Sequence, residues 1–429
     1  MNELAIQLNT ILDKSSAGPF LSSLGRRLFF PRGIIAQAME AKKTSLNATL
    51  GMAFNKGKPL ALSPLLNKLS GLQPEEAVIY APTAGIETFR QAWKAALESK
   101  NPSLKGSFFS LPVVVPGITA GISYIADLFL DSGDEILAAN PSWDNYSLIF
   151  EERRGAVLKT IPLFTEQGGL NTGAFEKAII EQAAKGIVRI ILNFPHNPSG
   201  YTPLKAEAET LLGVIKEAAD KGASVLVICD DAYFGLFYEE GIIKESLFAR
   251  LVNLHEKVLA VKIDGPTKED YVWGFRTAFI TFGSKSLDEN AAAALEKKCM
   301  GAIRSSVSCA NTPAQYLALK SWEDPETVIE KKAFYTLLYS RYRAVKQFLA
   351  ENPMPPSLQA LPFNSGYFMS FLCKTGNKSG GAEKIRQALL AKGIGTIACG
   401  DEYLRVTFAA IEEKDIPGLY QAIYEAAEV

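Results

Sequence analysis

Lys262-Ile263-Asp264-Gly265-Pro266-Thr267-Lys268-Glu269-Asp270-Tyr271-Val272-Trp273-Gly274-Phe275-Arg276 is the stretch on which the reading of this 429-residue chain turns. The apolar run Val258 to Ile263 reads as a buried strand, and Gly265-Pro266-Thr267 reads as a small-residue turn at its mouth. Lys268 follows that turn, and Arg276 follows at the expected start of the next strand. A lysine placed there can form a Schiff base, and an arginine beside it can hold a phosphate. The pair points to a pyridoxal 5'-phosphate (PLP) site.

Outward from that stretch, short β-branched runs alternate with helical patterns. Seven strands are expected, over Pro112–Pro116, Glu135–Ala139, Ala156–Pro162, Ile187–Phe194, Ser224–Asp231, Lys257–Ile263 and Phe275–Phe282. Several are continuously apolar, which fits a mostly parallel sheet covered on both faces. Thr119–Leu130, Gly173–Ala184 and Pro203–Lys221 have the helical pattern that parallel crossovers require. The fold class is therefore α/β, and ligands in such sheets bind beyond the carboxyl ends of the strands. Past the last strand, Asp288–Arg304 and Pro313–Leu349 read as helices, the second running toward a smaller α+β domain. The expected division is an N-terminal segment, 1–60, packing with the small domain, a large domain over 61–325, and the small domain over 326–429. Lys374 to Gly381 reads as a surface loop.

Forty-five basic residues balance forty-six acidic ones, so there is no broad electrostatic footprint for nucleic acid or an anionic membrane. No apolar run approaches the roughly 20 residues that span a bilayer, and no leader pattern opens the chain, so a cytoplasmic protein is expected. Five cysteines without CxxC spacing and two histidines give poor support to a metal or disulfide framework. The expected partners are small molecules and other subunits.

Four further motifs end expected strands. Asp230-Asp231-Ala232-Tyr233 puts a carboxylate at a buried strand end, where it can pair with a protonated pyridine nitrogen. Asn193-Phe194-Pro195-His196-Asn197-Pro198-Ser199-Gly200 is a rigid turn from which Asn197 can donate to a phenolic oxygen. Pro116-Gly117-Ile118-Thr119-Ala120-Gly121 offers backbone N–H groups and the Thr119 hydroxyl to an anion at a helix N-terminus. In Asn140-Pro141-Ser142-Trp143-Asp144-Asn145-Tyr146, Trp143 can stack on an aromatic ring.

In this order, the pieces closely resemble the fold-type I PLP enzymes, specifically class I aminotransferases, from about Leu50 to the C-terminus. The resemblance implies PLP as cofactor and ping-pong transamination, with Lys268 as the aldimine lysine and proton shuttle. It implies that Asp230 partners the pyridine nitrogen, that Asn197 and Tyr233 bind the phenolic oxygen, and that Trp143 stacks on the ring. Phosphate would be held by Arg276 and by the turn at Ile118 and Thr119. Tyr80-Ala81-Pro82-Thr83-Ala84-Gly85-Ile86 and the wording around Trp143 resemble the aspartate and aromatic aminotransferase subgroup. That implies a homodimer with shared sites in which Tyr80 reaches the neighbouring subunit's phosphate. Leu50-Gly51-Met52-Ala53 resembles the segment that brings the Ala53 amide to the substrate's α-carboxylate, and Arg405 matches the arginine that grips it. Arg304 fits a segment whose arginine binds a side-chain carboxylate across the dimer, although the Cys309 to Pro313 region is longer than the pattern. Gly265 stands where the family usually has serine, and Tyr146 where aspartate aminotransferases have histidine. The implied substrates are an acidic or aromatic amino acid and a 2-oxo acid such as 2-oxoglutarate. A PLP lyase or decarboxylase is the alternative on the same fold, and a PLP-sensing transcription regulator a remote one.

Overall fold

The computed structural model describes residues 2–13, 21, 23–28, 34–375 and 378–428. The Val- and Ile-rich runs form the strands β1 (Val113–Val115), β2 (Glu135–Asn140), β3 (Val157–Pro162), β4 (Ile187–Asn193), β5 (Ser224–Asp230), β6 (Val258–Asp264) and β7 (Ala278–Gly283). They make one sheet in the order β1-β7-β6-β5-β4-β2-β3. Only β7 runs against its neighbours, β1 and β6, so the other strands send their carboxyl ends to one edge. Helix Lys205–Asp220 makes the crossover between β4 and β5, as a parallel pair demands.

Both faces of this sheet are covered, and side chains along each strand alternate between them. On β5, Leu226 and Ile228 join a core with helix α1 (Ile118–Phe129), while Val225, Val227 and Cys229 join the core on the opposite face. That alternation is what sends consecutive residues at the strand's end in opposite directions.

A second, smaller sheet is antiparallel: β8 (Leu358–Ala360), β9 (Phe368–Thr375), β10 (Ile397–Cys399) and β11 (Tyr403–Thr407) lie in the order β8-β9-β11-β10. Helices Pro325–Glu351 and Ile416–Ala427 cover it, burying Val345, Phe348, Tyr420 and Ile423 with Phe371 and Leu404. The N-terminal part of the chain reaches this sheet's neighbourhood. Leu46–Asn47 pairs in parallel with Ile394–Gly395, and the Gln37 amide makes two hydrogen bonds, of 3.0 and 2.8 Å, with the Ala398 backbone. Among the described residues no helix is long and apolar enough to cross a membrane.

Three expectations need correction. The last large-sheet strand starts at Ala278 rather than Phe275, because Trp273–Phe275 closes into a 3-10 turn and Arg276 takes a left-handed conformation, φ 53°. Pro313–Leu349 is not one helix but two, Thr312–Trp322 and Pro325–Glu351. Pro325 has no N–H to continue the first, and the Asp324 side chain caps the second by accepting from the Glu326 amide. The Lys374–Gly381 stretch is not simply a loop: Lys374 and Thr375 pair with Ser379 and Lys378, around two residues that lie outside the described ones.

The two sheets meet at the turn after β4. The Gly200 carbonyl accepts from the amides of Asn364 and Ser365, both at 2.9 Å, and the Ser370 hydroxyl donates to the Pro198 carbonyl at 2.8 Å. Gly200 has φ 76°, and a Cβ on it would stand 2.0 Å from the Phe368 carbonyl oxygen. Backbone occupies that space, so it cannot yield. Gly200→Ala is therefore expected to cost at least about 3 kcal/mol of folding stability, the upper end for single substitutions. Chemical denaturation should show this as a clear drop in midpoint; an unchanged midpoint would mean that the close approach is not obligatory.

Candidate active site

The carboxyl edge of the large sheet opens into a cavity of about 230 Å³. Asp230 enters it from the end of β5 and Lys268 from the short helix Pro266–Glu269 that follows β6. Because β7 is antiparallel, Arg276 reaches the same edge from its amino end. Ile118 and Thr119 come from the first turn of α1, Trp143 from the loop after β2, Asn197 from the turn after β4, and Tyr233 from the turn after β5. Arg405 reaches in from β11 of the small sheet.

Asp230 is buried, and the Tyr146 hydroxyl donates to its Oδ2 at 2.5 Å. Burial pushes the Asp230 carboxyl up to about 6, against the Tyr146 hydrogen bond and the Lys268 charge, which pull it down. For Lys268, burial pulls the ammonium down to about 8, with Asp230 opposing the shift and Arg276 reinforcing it. Its Nζ lies 5.0 Å from the centre of the Tyr233 ring, and the Tyr367 hydroxyl donates to its carbonyl at 3.1 Å. Asp231 points the other way. It accepts from the Ser246 hydroxyl at 2.6 Å and pairs with the fully buried Lys262, which also lies 3.3 Å from Asp264.

Arg405 is buried, donates to the Thr49 carbonyl at 2.9 Å and to Asn197 Oδ1 at 3.3 Å, and stacks 4.5 Å over the Phe368 ring. Its Nε has no partner among the described residues. Asn193 braces this side: its Oδ1 accepts from the Asn197 amide and its Nδ2 donates to the Asp230 carbonyl, both at 2.7 Å. At the other end, a Cβ on Gly117, φ 96°, would lie 2.5 Å from Arg276 Nη2, so the guanidinium packs against the start of α1. The Thr267 hydroxyl donates to the Thr277 carbonyl at 3.2 Å.

Three expected site residues do not line the cavity. Tyr80 is 87% exposed, Arg304 is exposed at the last position of helix Glu289–Arg304, and Ala53 is fully buried with its carbonyl accepting from the Leu60 amide. Gly51 lines the cavity in place of Ala53, and its bare Cα leaves room beside the Tyr233 hydroxyl. Trp273, Asn193 and Tyr367 were given no role from the sequence. Trp273 carried a usable signal, an aromatic between Lys268 and Arg276, whereas Tyr367 reaches Lys268 only through the packing of the two sheets.

A family model for aminotransferase class I and II matches residues 66–423. The chain belongs to that family. The aminotransferase is 26% identical over 362 residues to an aspartate aminotransferase of Pyrococcus horikoshii, an alignment covering 79% of this chain and 81% of that one. It is 24% identical to the methionine aminotransferase of Escherichia coli, covering 81% of each. The aspartate aminotransferase of Sulfurisphaera tokodaii, 24% identical over 274 residues, is matched over 62% of its length. Among solved structures, an aminotransferase from Anaerococcus prevotii superposes with a TM-score of 0.82 at 23% identity, covering 94% of this chain and 98% of that one. Pyrococcus horikoshii kynurenine aminotransferase, in complex with PMP, superposes with a TM-score of 0.79 at 17% identity, covering 97% and 98%. At these identities the structures establish the fold. The enzyme is thus a PLP-dependent aminotransferase of fold type I, and nothing in the comparisons favours a lyase, a decarboxylase or a transcription regulator.

The raised Asp230 carboxyl has a consequence for stability. Between about pH 4 and pH 6 the folded cofactor-free chain keeps a proton that the unfolded chain has released, so this group's contribution falls as pH rises through that window. Asp230→Asn is expected to remove that slope, worth roughly 3 kcal/mol across the window. Urea denaturation of both proteins across this range would read the difference, and parallel pH curves would rule out Asp230 as its source.

Proposed function

We propose that the aminotransferase exchanges an amino group, by a ping-pong route, between an acidic or aromatic amino acid and a 2-oxo acid such as 2-oxoglutarate. The observation that carries this reading is the convergence of Lys268, Asp230 and Arg405 on one cavity with Arg276 at its far end. The donor set fits PLP. Arg276, packed on Gly117 beside an α1 N-terminus that no side chain caps, suits a phosphate. Asp230 suits a pyridine nitrogen and Trp143 a ring face. Since Asn197 Oδ1 already accepts from Arg405, its Nδ2 is left to donate, with the Tyr233 hydroxyl, to a phenolic oxygen.

PLP, when bound, supplies the electron sink that makes the substrate's Cα proton acidic. The chain's own groups do the rest. Facing a positive pyridine nitrogen, Asp230 is ionised, and Tyr146 holds it by a neutral hydrogen bond. Lys268, with its ammonium drawn down toward 8, is a competent base and conjugate acid near neutral pH, suited to carry a proton from Cα to C4'. Arg405 would grip the α-carboxylate, with its unpartnered Nε as a further donor, and would thereby orient the bonds at Cα.

The acidic or aromatic class draws support from relatives named for aspartate, for aspartate and prephenate, and for kynurenine, while the methionine aminotransferase marks the competing outcome. A homodimer with shared sites accounts for the exposed run Val78 (80%), Ile79 (55%) and Tyr80 (87%), apolar surface that a second subunit would cover. In that arrangement Tyr80 reaches the neighbour's phosphate and Arg304 the neighbour's substrate side chain, while Gly51, rather than the buried Ala53, is the residue of the N-terminal segment nearest the α-carboxylate. Five free thiols suit a reducing, cytoplasmic setting.

A donor panel followed by the absorbance change of the bound cofactor tests the substrate class. Acidic and aromatic donors are expected to react fastest, and a preference for small neutral amino acids would overturn the class. Arg304→Ala is expected to weaken dicarboxylates selectively, by roughly 2–5 kcal/mol in transition-state binding, with aromatic donors little changed. Equal losses for both would remove Arg304 from the site. Lys268→Ala is expected to abolish transamination while leaving the fold intact. Mixing it with an inactive Tyr80→Ala chain should restore activity in heterodimers, and no recovery after verified subunit exchange would argue against shared sites.

A further inference from the structure

We propose that Arg341, which lies outside the cavity, is a positioning residue for the substrate's α-carboxylate: it sets the stretch from Gly51 to Phe54 against the strand that carries Arg405. This rests on the reading of Arg405 as the α-carboxylate ligand.

Arg341 sits on helix Pro325–Glu351 and is fully buried. A guanidinium is always charged, so burying one carries a large desolvation cost that only well-placed acceptors offset. Its acceptors come from two segments far apart in the chain. Nη1 donates to the Phe54 carbonyl at 2.5 Å and to the Ala409 carbonyl at 2.6 Å, and Nη2 lies 3.3 Å from Glu412 Oε2. Ala409 belongs to the 3-10 turn Phe408–Ala410, which directly follows β11 and so continues the strand that holds Arg405. Glu412 reaches back to the first segment, where its Oε1 accepts from the Lys56 amide. One cation and one carboxylate thus tie the two segments together.

The first segment needs such a hold. Phe54-Asn55 pairs with Lys58-Pro59 across a two-residue turn in which Lys56 has φ 49° and Gly57 φ 71°. A turn with both central residues at positive φ favours glycine, asparagine or aspartate, and lysine has no such preference. The Glu412 contact holds Lys56 there. Before the turn, the segment is fixed by Arg405 itself, which donates to the Thr49 carbonyl, and by the Thr407 amide, which donates to the Ala48 carbonyl, both at 2.9 Å. Gly51, which lines the cavity, is suspended between these two anchors. With the Arg341 anchor removed, the wall beside Arg405 is attached at one end only. Lys268, Asp230 and Arg276 come from the large sheet, so the cofactor's own ligands do not depend on this anchor.

The first half of the reaction tests this, with substrate and cofactor read separately. PLP-loaded wild type, Arg341→Met, Glu412→Ala and Arg405→Lys would be mixed with L-aspartate, L-phenylalanine or L-methionine. The concentration dependence of the cofactor's absorbance change then gives donor affinity and limiting rate. The α-carboxylate is common to all three donors. Arg341→Met and Glu412→Ala are therefore expected to weaken every donor that reacts by roughly 10-fold or more, with a much smaller change in limiting rate and none in PLP affinity. Hydrogen exchange, followed by mass spectrometry on the same PLP-loaded proteins, should quicken over residues 48–60 and not along β5 and β6. Unchanged donor affinity in both variants, or a loss of PLP affinity that matches the loss of donor affinity, would overturn the proposal. So would exchange that quickens along the whole chain or nowhere. A loss of donor affinity in Arg405→Lys alone would overturn the Arg341 assignment and leave the site reading standing, whereas no loss in any variant would overturn both. Should Arg341→Met fail to fold, Glu412→Ala decides the matter, because Glu412 is partly exposed and its truncation leaves the buried guanidinium in place.

Discussion

Everything at this site depends on the backbone contact between Gly265 and the start of β7. A Cβ at position 265 would lie 2.7 Å from Ala278 Cα, so the two chain segments touch with nothing between them. The antiparallel register Phe279 with Asp264 continues that contact into the sheet. The connection from Pro266 to Thr277 is thereby pinned at both ends, and the Thr267 hydroxyl crosses it to the Thr277 carbonyl. Lys268 and Arg276, on opposite arms of one closed loop, are held to the same cavity. A serine at Gly265, the residue that the family pattern leads one to expect, would need the space that this contact uses.

Around that loop lies a frame of buried charge. Lys262, on β6, sits fully buried between Asp231 and Asp264, and the Trp93 indole donates to Asp264 at 3.0 Å. Burying three charges carries a large desolvation cost, and mutual attraction with complete hydrogen bonding is what makes it tolerable. The pair ties the end of β5 to β6 and so places Asp230 next to the turn that carries Lys268. Just after Lys268, Glu269 and Asp270 are bound by Lys331, at 3.2 and 2.7 Å, and Asp270 also accepts from the Trp322 indole at 2.6 Å. Burial alone would raise the Glu269 carboxyl, but the charges of Lys100 and Lys331 and their hydrogen bonds hold it well below the usual carboxylate range. Lys268 is thus flanked by fixed ion pairs in which it takes no part. Burial also works against the Lys262 and Lys331 ammonium groups, but their carboxylate partners outweigh it, whereas Lys268, without a directly paired carboxylate, keeps a net downward shift.

The small sheet completes the site instead of merely covering it. Asn364 to Ser370 runs along the Asn197–Gly200 turn, and from that run Tyr367 reaches the Lys268 carbonyl. Arg405 comes from the adjoining strand β11 and bonds to Asn197 on the large-sheet side. A shift between the two sheets would therefore move Arg405 relative to Lys268.

Much of this was legible in the sequence because it is local. The strands were readable from continuous Val and Ile runs, since a sheet covered on both faces leaves no polar positions to blur the pattern. The motifs at strand ends were readable because glycine, proline and small polar residues mark turns. Ile118, Thr119, Trp143, Asn197, Asp230, Tyr233, Lys268, Arg276 and Arg405 do converge on one cavity. What depends on contacts across the fold was not legible. Nothing local says that Lys262 is buried with two aspartates, that Tyr367 reaches Lys268, or that Trp273 lines the cavity. The break at Pro325 and the late start of β7 were missed for a related reason: an apolar period persists through a kink, whereas a cap or a left-handed residue changes the path of the backbone. The sequence by itself determined the strand order along the chain and the chemistry available at each strand's end, because these follow from residue type and spacing. Only the tertiary structure decided which of those groups share a cavity and which, like Asp231 beside Asp230, are turned into the core, because alternate residues on a strand face opposite sides of a sheet whose two faces carry different surroundings.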